Sequence, residues 1–236
     1  MGVSSADRRT FVWKGYLMAS VGIFETLRQR ILDSNGLLPQ ERRAMLWFRE
    51  YASTLRAWQN SYSNRITYTQ LAKDTSFAKR LVPVPQARPG RLYFYVYQPE
   101  HARTLEYYDR FPFTLIIDRS PTHLLGLNFH YLDNLYRAKL FDALYTRARN
   151  VQKNPKTPAD TLNTYIAVDY DLLNGVRRFA PFRPCIHSYL RKNIRTPLLQ
   201  VGESEWDIAL FLPVERFAKE TRSTVWAESR EKITRG

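Results

Sequence analysis

Four histidines and one cysteine are the side chains best equipped for metal or nucleophilic chemistry in this 236-residue sequence. Cys185 and His187 stand two apart, but His101, His123 and His130 are scattered, whereas a zinc site needs four ligands at paired spacings. No metal site is expected. Asn128 and His130 alternate onto one face of a predicted strand, and with His123 they suggest the corner of a metal-dependent nuclease. No carboxylate pair lies nearby to hold magnesium, so His130 is expected to hydrogen-bond at the strand end. Neither a Gly-x-x-x-x-Gly-Lys loop nor a Gly-x-Gly-x-x-Gly turn is present, which argues against nucleotide hydrolysis. No nucleophile stands with a base, and no acid–base pair is apparent. The reading is of a protein that is not an enzyme, with no cofactor and no small-molecule substrate.

Charge points elsewhere. The formal net charge is +14. Residues 1–90 hold 14 Lys or Arg against 6 Asp or Glu, so the basic excess is denser toward the N-terminus. Arginine is prominent there, with Arg42, Arg43, Arg49 and Arg56 in one stretch, and its planar fork suits phosphate. A phosphate-rich partner is the natural inference, although basic proteins that pack against acidic shells share this balance. Two further arginines follow aspartates around one apolar run, as Asp109-Arg110 and Asp118-Arg119. The aspartates suit turn amides, while Arg110 and Arg119 are open to a phosphate, an acidic partner or solvent. The lone cysteine excludes an internal disulfide, and no apolar run approaches the roughly 20 residues of a membrane helix.

The elements that must position these residues are legible in part. Helices are expected over Ser20 to Asp33, over Gln40 to Gln59 and, shorter, over Thr67 to Arg80. In the second, Ala44, Trp47, Phe48, Tyr51, Leu55 and Trp58 form an apolar stripe with the arginines largely off it. Three prolines between Val82 and Gly90 make an extended connector, dividing a basic helical arm (1–85) from a mixed sheet-and-helix core (86–236). Arg91 to Tyr97 reads as a strand with Tyr93, Tyr95 and Tyr97 on one side, and Gln98 to Asp109 as a loop. Phe113 to Ile117 reads as a strand covered on both faces, and Leu124 to Tyr131 returns to complete a hairpin. Asp133 can cap a helix running to about Arg149. Lys153 to Pro158 is a loop, Asp160 can cap a short segment, and Asp169 to Arg178 reads as a helix. Leu198 to Val201 and Trp206 to Leu212 read as strands, and Pro213 to about Lys232 as a terminal helix. The class is α+β, with a small, strongly bent sheet or SH3-like barrel, inserted helices and a C-terminal helix.

Certain phrases carry more than elements. The run Tyr107-Tyr-Asp-Arg-Phe-Pro112, the strand Leu125 to Leu132, and Arg137-Ala-Lys-Leu-Phe-Asp-Ala-Leu-Tyr145 follow one another at short spacing. Glu205 to Phe217, Val225 to Arg230 and, more faintly, Ala44 to Arg49 extend the pattern. Together they resemble the DNA end protector family of T4-like tailed phages, across about residues 40 to 232 with gaps.

That resemblance implies a virion protein, present in the host cytoplasm during assembly, that shields the ends of packaged linear double-stranded DNA from exonuclease. Such shielding needs no catalysis. Arg42, Arg43, Arg49 and Arg56 would neutralise phosphates, and an aromatic side chain could stack on the terminal base pair. Tyr107, Tyr108 and Phe111 are the candidate wedge, with Arg110 and Arg119 nearby; the alternative is that these rings cover the mouth of the barrel. A second reading is an architectural protein of the neck, tail or baseplate, acting through contacts with other phage structural proteins such as the head–tail connector.

Overall fold

The computed structural model describes residues 80–151, 162–176, 179–206, 211 and 217–235, with residues 43, 44, 46 and 49 ahead of them. The helices expected over Ser20 to Asp33 and Thr67 to Arg80 (Arg80 apart), Arg42, Trp47, Arg56, the Lys153 to Pro158 loop and Asp160 lie outside the described residues. Arg43, Ala44, Leu46 and Arg49 are helical. Ala44 is buried in the main core, while Arg43, Leu46 and Arg49 are exposed, the disposition that an apolar stripe with its arginines off it requires.

The centre of the fold is an antiparallel six-stranded sheet. Its strands are β1 (Leu81–Val82), β2 (Leu92–Phe94), β4 (Phe113–Arg119), β5 (His123–Asn128), β8 (Ile186–Leu190) and β9 (Leu198–Val201), in the spatial order β1-β9-β2-β4-β5-β8. Period-two alternation sorts the side chains onto two cores. Leu92, Phe94, Phe113, Leu115 and Ile117 enter one with the helices, and Tyr93, Tyr95, Ile116, Leu124, Tyr189 and Leu198 enter the other. Tyr93, Tyr95 and Tyr97 therefore share a face as their spacing predicts, and Phe113 to Ile117 is buried throughout. Beyond Phe94 the chain bends, and single contacts such as the Tyr97–Ile194 bridge and Arg195 N–H to Val96 O (2.9 Å) replace a regular ladder. The outer strands β1 and β8 do not pair with each other, so the sheet is open, and the closed-barrel alternative is not the architecture of the described residues.

Several boundaries shift, each for a local reason. The hairpin forms, with a register shift between Ile116 and Asp118, but its second strand ends at Asn128. The Asn128 side chain accepts the His130 N–H at 3.0 Å and turns Phe129–Tyr131 into a 3-10 helix where strand is expected. Helix α1 (Asn134–Tyr145) is capped by Asp133, which accepts the Tyr136 N–H at 2.9 Å. It stops short of Arg149 because β6 (Ala148–Asn150) pairs with β7 (Thr164–Ile166). Helix α2 (Tyr170–Gly175) forms within the expected Asp169 to Arg178 span, with Asp169 as its cap, and ends earlier, before the extended Val176. Trp206 is helical after a 3-10 turn (Glu203–Glu205), so no strand begins there. The terminal helix α3 (Arg222–Arg235) begins well after Pro213, because β10 (Phe217–Ala218) is a strand that pairs with β3 (Tyr108–Asp109).

Gly90 locks the connector to the sheet. Its N–H donates to Ile116 O and its carbonyl accepts from Ile166 N–H, both at 2.7 Å, with φ at 76°. A Cβ there would lie 2.5 Å from Ile166 O. Gly90→Ala is expected to cost about 2–4 kcal/mol, combining left-handed strain with displacement of the β7 backbone. A urea titration checks it; a variant within 0.5 kcal/mol of the parent would mean that the connector can move away.

Candidate nucleic-acid interface

The segment Tyr107 to Phe111 enters the sheet by way of β3, and alternation divides its side chains between interior and surface. Tyr107 and Asp109 point inward; Tyr108 and Arg110 lie on the other side. The Tyr107 hydroxyl donates to Glu228 on α3 at 2.7 Å, and its ring meets Phe217 edge-on at 5.8 Å. Burial, and then the Glu228 carboxylate, hold that hydroxyl protonated well above the usual tyrosine range. Phe111 stacks on Phe94 at 6.1 Å and packs against the main core. Tyr108 is half-buried in the two-residue ladder opposite Ala218, and Arg110 is exposed. Of the three candidate wedge rings, two are thus engaged with the interior. Just past β10, Lys219 ties down the chain that leads into this segment, its ammonium donating to Arg103 O (2.7 Å) and Leu105 O (2.6 Å).

Beneath this loop lies a polar centre that sequence reading sees only in fragments. Asp109 Oδ2 accepts from Asn128 Nδ2 and from His130 Nδ1, each at 2.9 Å, and Oδ1 accepts the Phe111 N–H at 2.8 Å. Asn128 Nδ2 also donates to the Tyr189 hydroxyl at 3.0 Å. Burial opposes ionisation of Asp109, but His130, Asn128 and the Phe111 amide together outweigh it and hold the carboxyl below its ordinary value. For His130 burial wins over the pull of Asp109, so the imidazole is neutral and donates from Nδ1. Its Nε2 is buried and accepts no hydrogen bond among the described residues.

Positive charge balances the buried carboxylate. Arg137 is 1% exposed, and burial brings its guanidinium down only to about 10, which leaves it charged at neutral pH. Its Nε donates to Leu132 O at 2.7 Å, and its guanidinium lies 5.5 Å from the centre of the Trp226 ring. Arg222 covers the same indole at 5.5 Å, and Trp226 Nε1 donates to His130 O at 2.9 Å. Helix α3 is therefore fastened to the polar centre through one tryptophan. His187 stacks on Tyr131 at 4.1 Å, and burial pushes its imidazole down to about 4.

This centre is closed off from solvent. The Asp109 and His130 side chains are at most 3% exposed. Among the described residues no three metal-ligating side chains converge, and no helix is long and apolar enough to cross a membrane. The Cys185 thiol is buried and pushed up to about 12, so it is not nucleophilic at neutral pH. The expectation that Asp109 and Asp118 serve turn amides holds, since Asp118 Oδ1 accepts the Arg119 N–H at 2.7 Å. The larger role of Asp109 escapes sequence reading because its partners are 19 and 21 residues away. Only the spacing of Asn128 and His130 hints at it.

Arg43 and Arg49 are exposed, and Arg119 anchors the hairpin to the connector, its Nη1 donating to Ala87 O at 2.7 Å. The described structure does not bring Arg43 or Arg49 into contact with the Tyr107 loop.

The fold and surface define a basic α+β scaffold with a braced polar interior and arginines left outside. The chain belongs to the family of the phage T4 terminal DNA protecting protein, whose family model matches residues 26–230. No curated protein and no solved structure matches the chain.

Proposed function

We propose that this protein is a non-enzymatic phage virion protein that binds and shields the ends of packaged linear double-stranded DNA. Family membership carries the reading: the match covers the chain from residue 26 to residue 230 and is described as terminal DNA protecting. The +14 charge supports it, because a basic surface supplies sequence-independent affinity for duplex. Locally, strand alternation puts Tyr108 and exposed Arg110 on the outer side of a loop that is fixed from beneath by Asp109. Tyr108 stacks on the terminal base pair and Arg110 meets the adjoining phosphate. Tyr107 and Phe111 hold the loop up, while Arg42, Arg43, Arg49, Arg56 and Arg119 add phosphate contacts. The protein acts in the virion and is found in the host cytoplasm during assembly.

The test compares two duplexes of equal length and sequence, one with blunt ends and one closed by hairpin loops. Blunt duplex is expected to bind at least tenfold tighter, and Tyr108→Ala to remove about 1–3 kcal/mol of that preference, the usual worth of a base–aromatic stack. Equal binding of both duplexes would sink end recognition.

A second reading is favoured by Leu46. It is 60% exposed on the helical face between Arg43 and Arg49, where an apolar side chain suits a neighbouring subunit. An architectural neck, tail or baseplate protein, held mainly by protein contacts, would use that face.

A further inference from the structure

The turn between β4 and β5 carries a cationic surface that the end-binding loop does not use. Arg119 Nη1 donates to Ala87 O at 2.7 Å and to Pro85 O at 3.3 Å. Arg191, just past β8, does the same for the turn itself, its Nη1 donating to Ser120 O at 2.8 Å and to Pro121 O at 3.2 Å. In both cases a guanidinium is oriented by neutral carbonyls, so these bonds fix its plane without cancelling its charge. Arg88, exposed in the connector, places its N–H 3.1 Å from the Tyr93 hydroxyl. The Arg119 guanidinium bonds the carbonyl of Ala87, the residue next to Arg88, so the two groups stand at one end of the sheet. Acidic groups there are few. Asp118 is exposed and accepts the Arg119 N–H, and Glu100 is paired with Lys192 at 3.0 Å. Three cations, from the connector, the hairpin and the end of β8, thus stand about the β4–β5 turn.

We propose that Arg88, Arg119 and Arg191 form a contact for the phosphodiester backbone of duplex DNA. This rests on the end-binding reading and deepens it, since the hairpin end grips the flank of a duplex whose terminus meets Tyr108. The chemistry suits phosphate in particular. A guanidinium already held in one orientation loses little freedom on binding, and its fork matches phosphate oxygens. The small polar side chains of the turn are engaged with each other, since the Ser120 hydroxyl oxygen accepts the Thr122 and His123 N–H groups and Thr122 is bonded to His123. The contact is therefore sequence-independent. It also lies on the connector that closes residues 1–90, where 14 Lys or Arg stand against 6 Asp or Glu.

The experiment measures fluorescence anisotropy of the full chain on blunt and hairpin-closed duplexes across a salt series. It uses Arg88→Gln, Arg119→Gln and Arg191→Gln singly and together, and polyglutamate as an acidic competitor without phosphate. Each substitution is expected to reduce the slope of log K against log salt by about 1 and to weaken both duplexes alike, leaving their ratio unchanged. A triple variant that melts like the parent and keeps the parental slope overturns the proposal. So does polyglutamate competing as well as DNA, which would assign the patch to an acidic protein partner. If the triple variant fails to fold, Arg88→Gln decides, since the Arg88 side chain is exposed and an unchanged slope there counts against the site. A parental protein without preference for blunt ends would refute end capping while leaving the slopes to judge this patch.

Discussion

Asp109→Asn is expected to remove about 3 kcal/mol or more of stability, a loss read as a lower urea midpoint with an unchanged m-value. The new side chain has nearly the same shape, so packing is not the cause. Asp109 Oδ2 accepts from both Asn128 Nδ2 and His130 Nδ1, and an asparagine amide must set a donor or a neutral acceptor there. Turning the amide over only moves the conflict to the Phe111 N–H, which bonds Oδ1 at 2.8 Å. A buried donor left unpaired costs about 1–3 kcal/mol, and Arg137 loses the carboxylate whose charge favours its own. Adding Arg137→Met should therefore cost less in the Asp109→Asn background than alone, a coupling that a double-mutant cycle measures. Additive losses would show that the two charges do not sense each other.

Acid is expected to unfold the protein well above the range where carboxylates titrate. Burial holds both His130 and His187 below the ordinary histidine value, His187 down to about 4. Each binds a proton less readily folded than unfolded, so their stability is fully present above about pH 6.5 and is lost as pH falls. For His187 the loss approaches about 1.4 kcal/mol per pH unit, and His130 adds to it in the same direction. His187 alone accounts for about 3 kcal/mol by the time its folded value is reached. Asp109, also held low, extends the loss below about pH 4. Denaturation series from pH 8 to pH 4.5 should show the fall, and His187→Phe, which keeps a ring to stack on Tyr131, should make it shallower. A parental slope in that variant would mean that His187 is hydrated and titrates freely.

What the sequence discloses and what it withholds divide along physical lines. Local signals hold: Asp133 caps a helix, and Tyr93, Tyr95 and Tyr97 share a face, because each depends on neighbours within a few residues. Errors cluster where distant partners override local preference. The helical pattern after Pro213 yields to β10 because Tyr108–Asp109, more than a hundred positions away, needs a strand partner. The strand through His130 yields because Asn128 turns back on the His130 amide while presenting its side-chain nitrogen to Asp109. A buried polar centre of this kind has no short motif, since its members come from β3, β5, α1 and β8. The surface arginines are the opposite case. Charge counting finds them at once, and only the folded chain shows which guanidinium groups are held by carbonyls, as Arg119, Arg149, Arg183 and Arg191 are.

The central claim, that this protein recognises DNA ends, meets its most direct test in exonuclease protection. Linear duplex would be digested in the presence of the full-length protein, at several salt concentrations, with excess closed circular DNA as competitor. The account predicts protection that survives the circle and weakens as salt rises, with Tyr108→Ala losing it at salt concentrations where the parent still protects. Protection abolished by the circle would leave only general basic affinity and would contradict end capping.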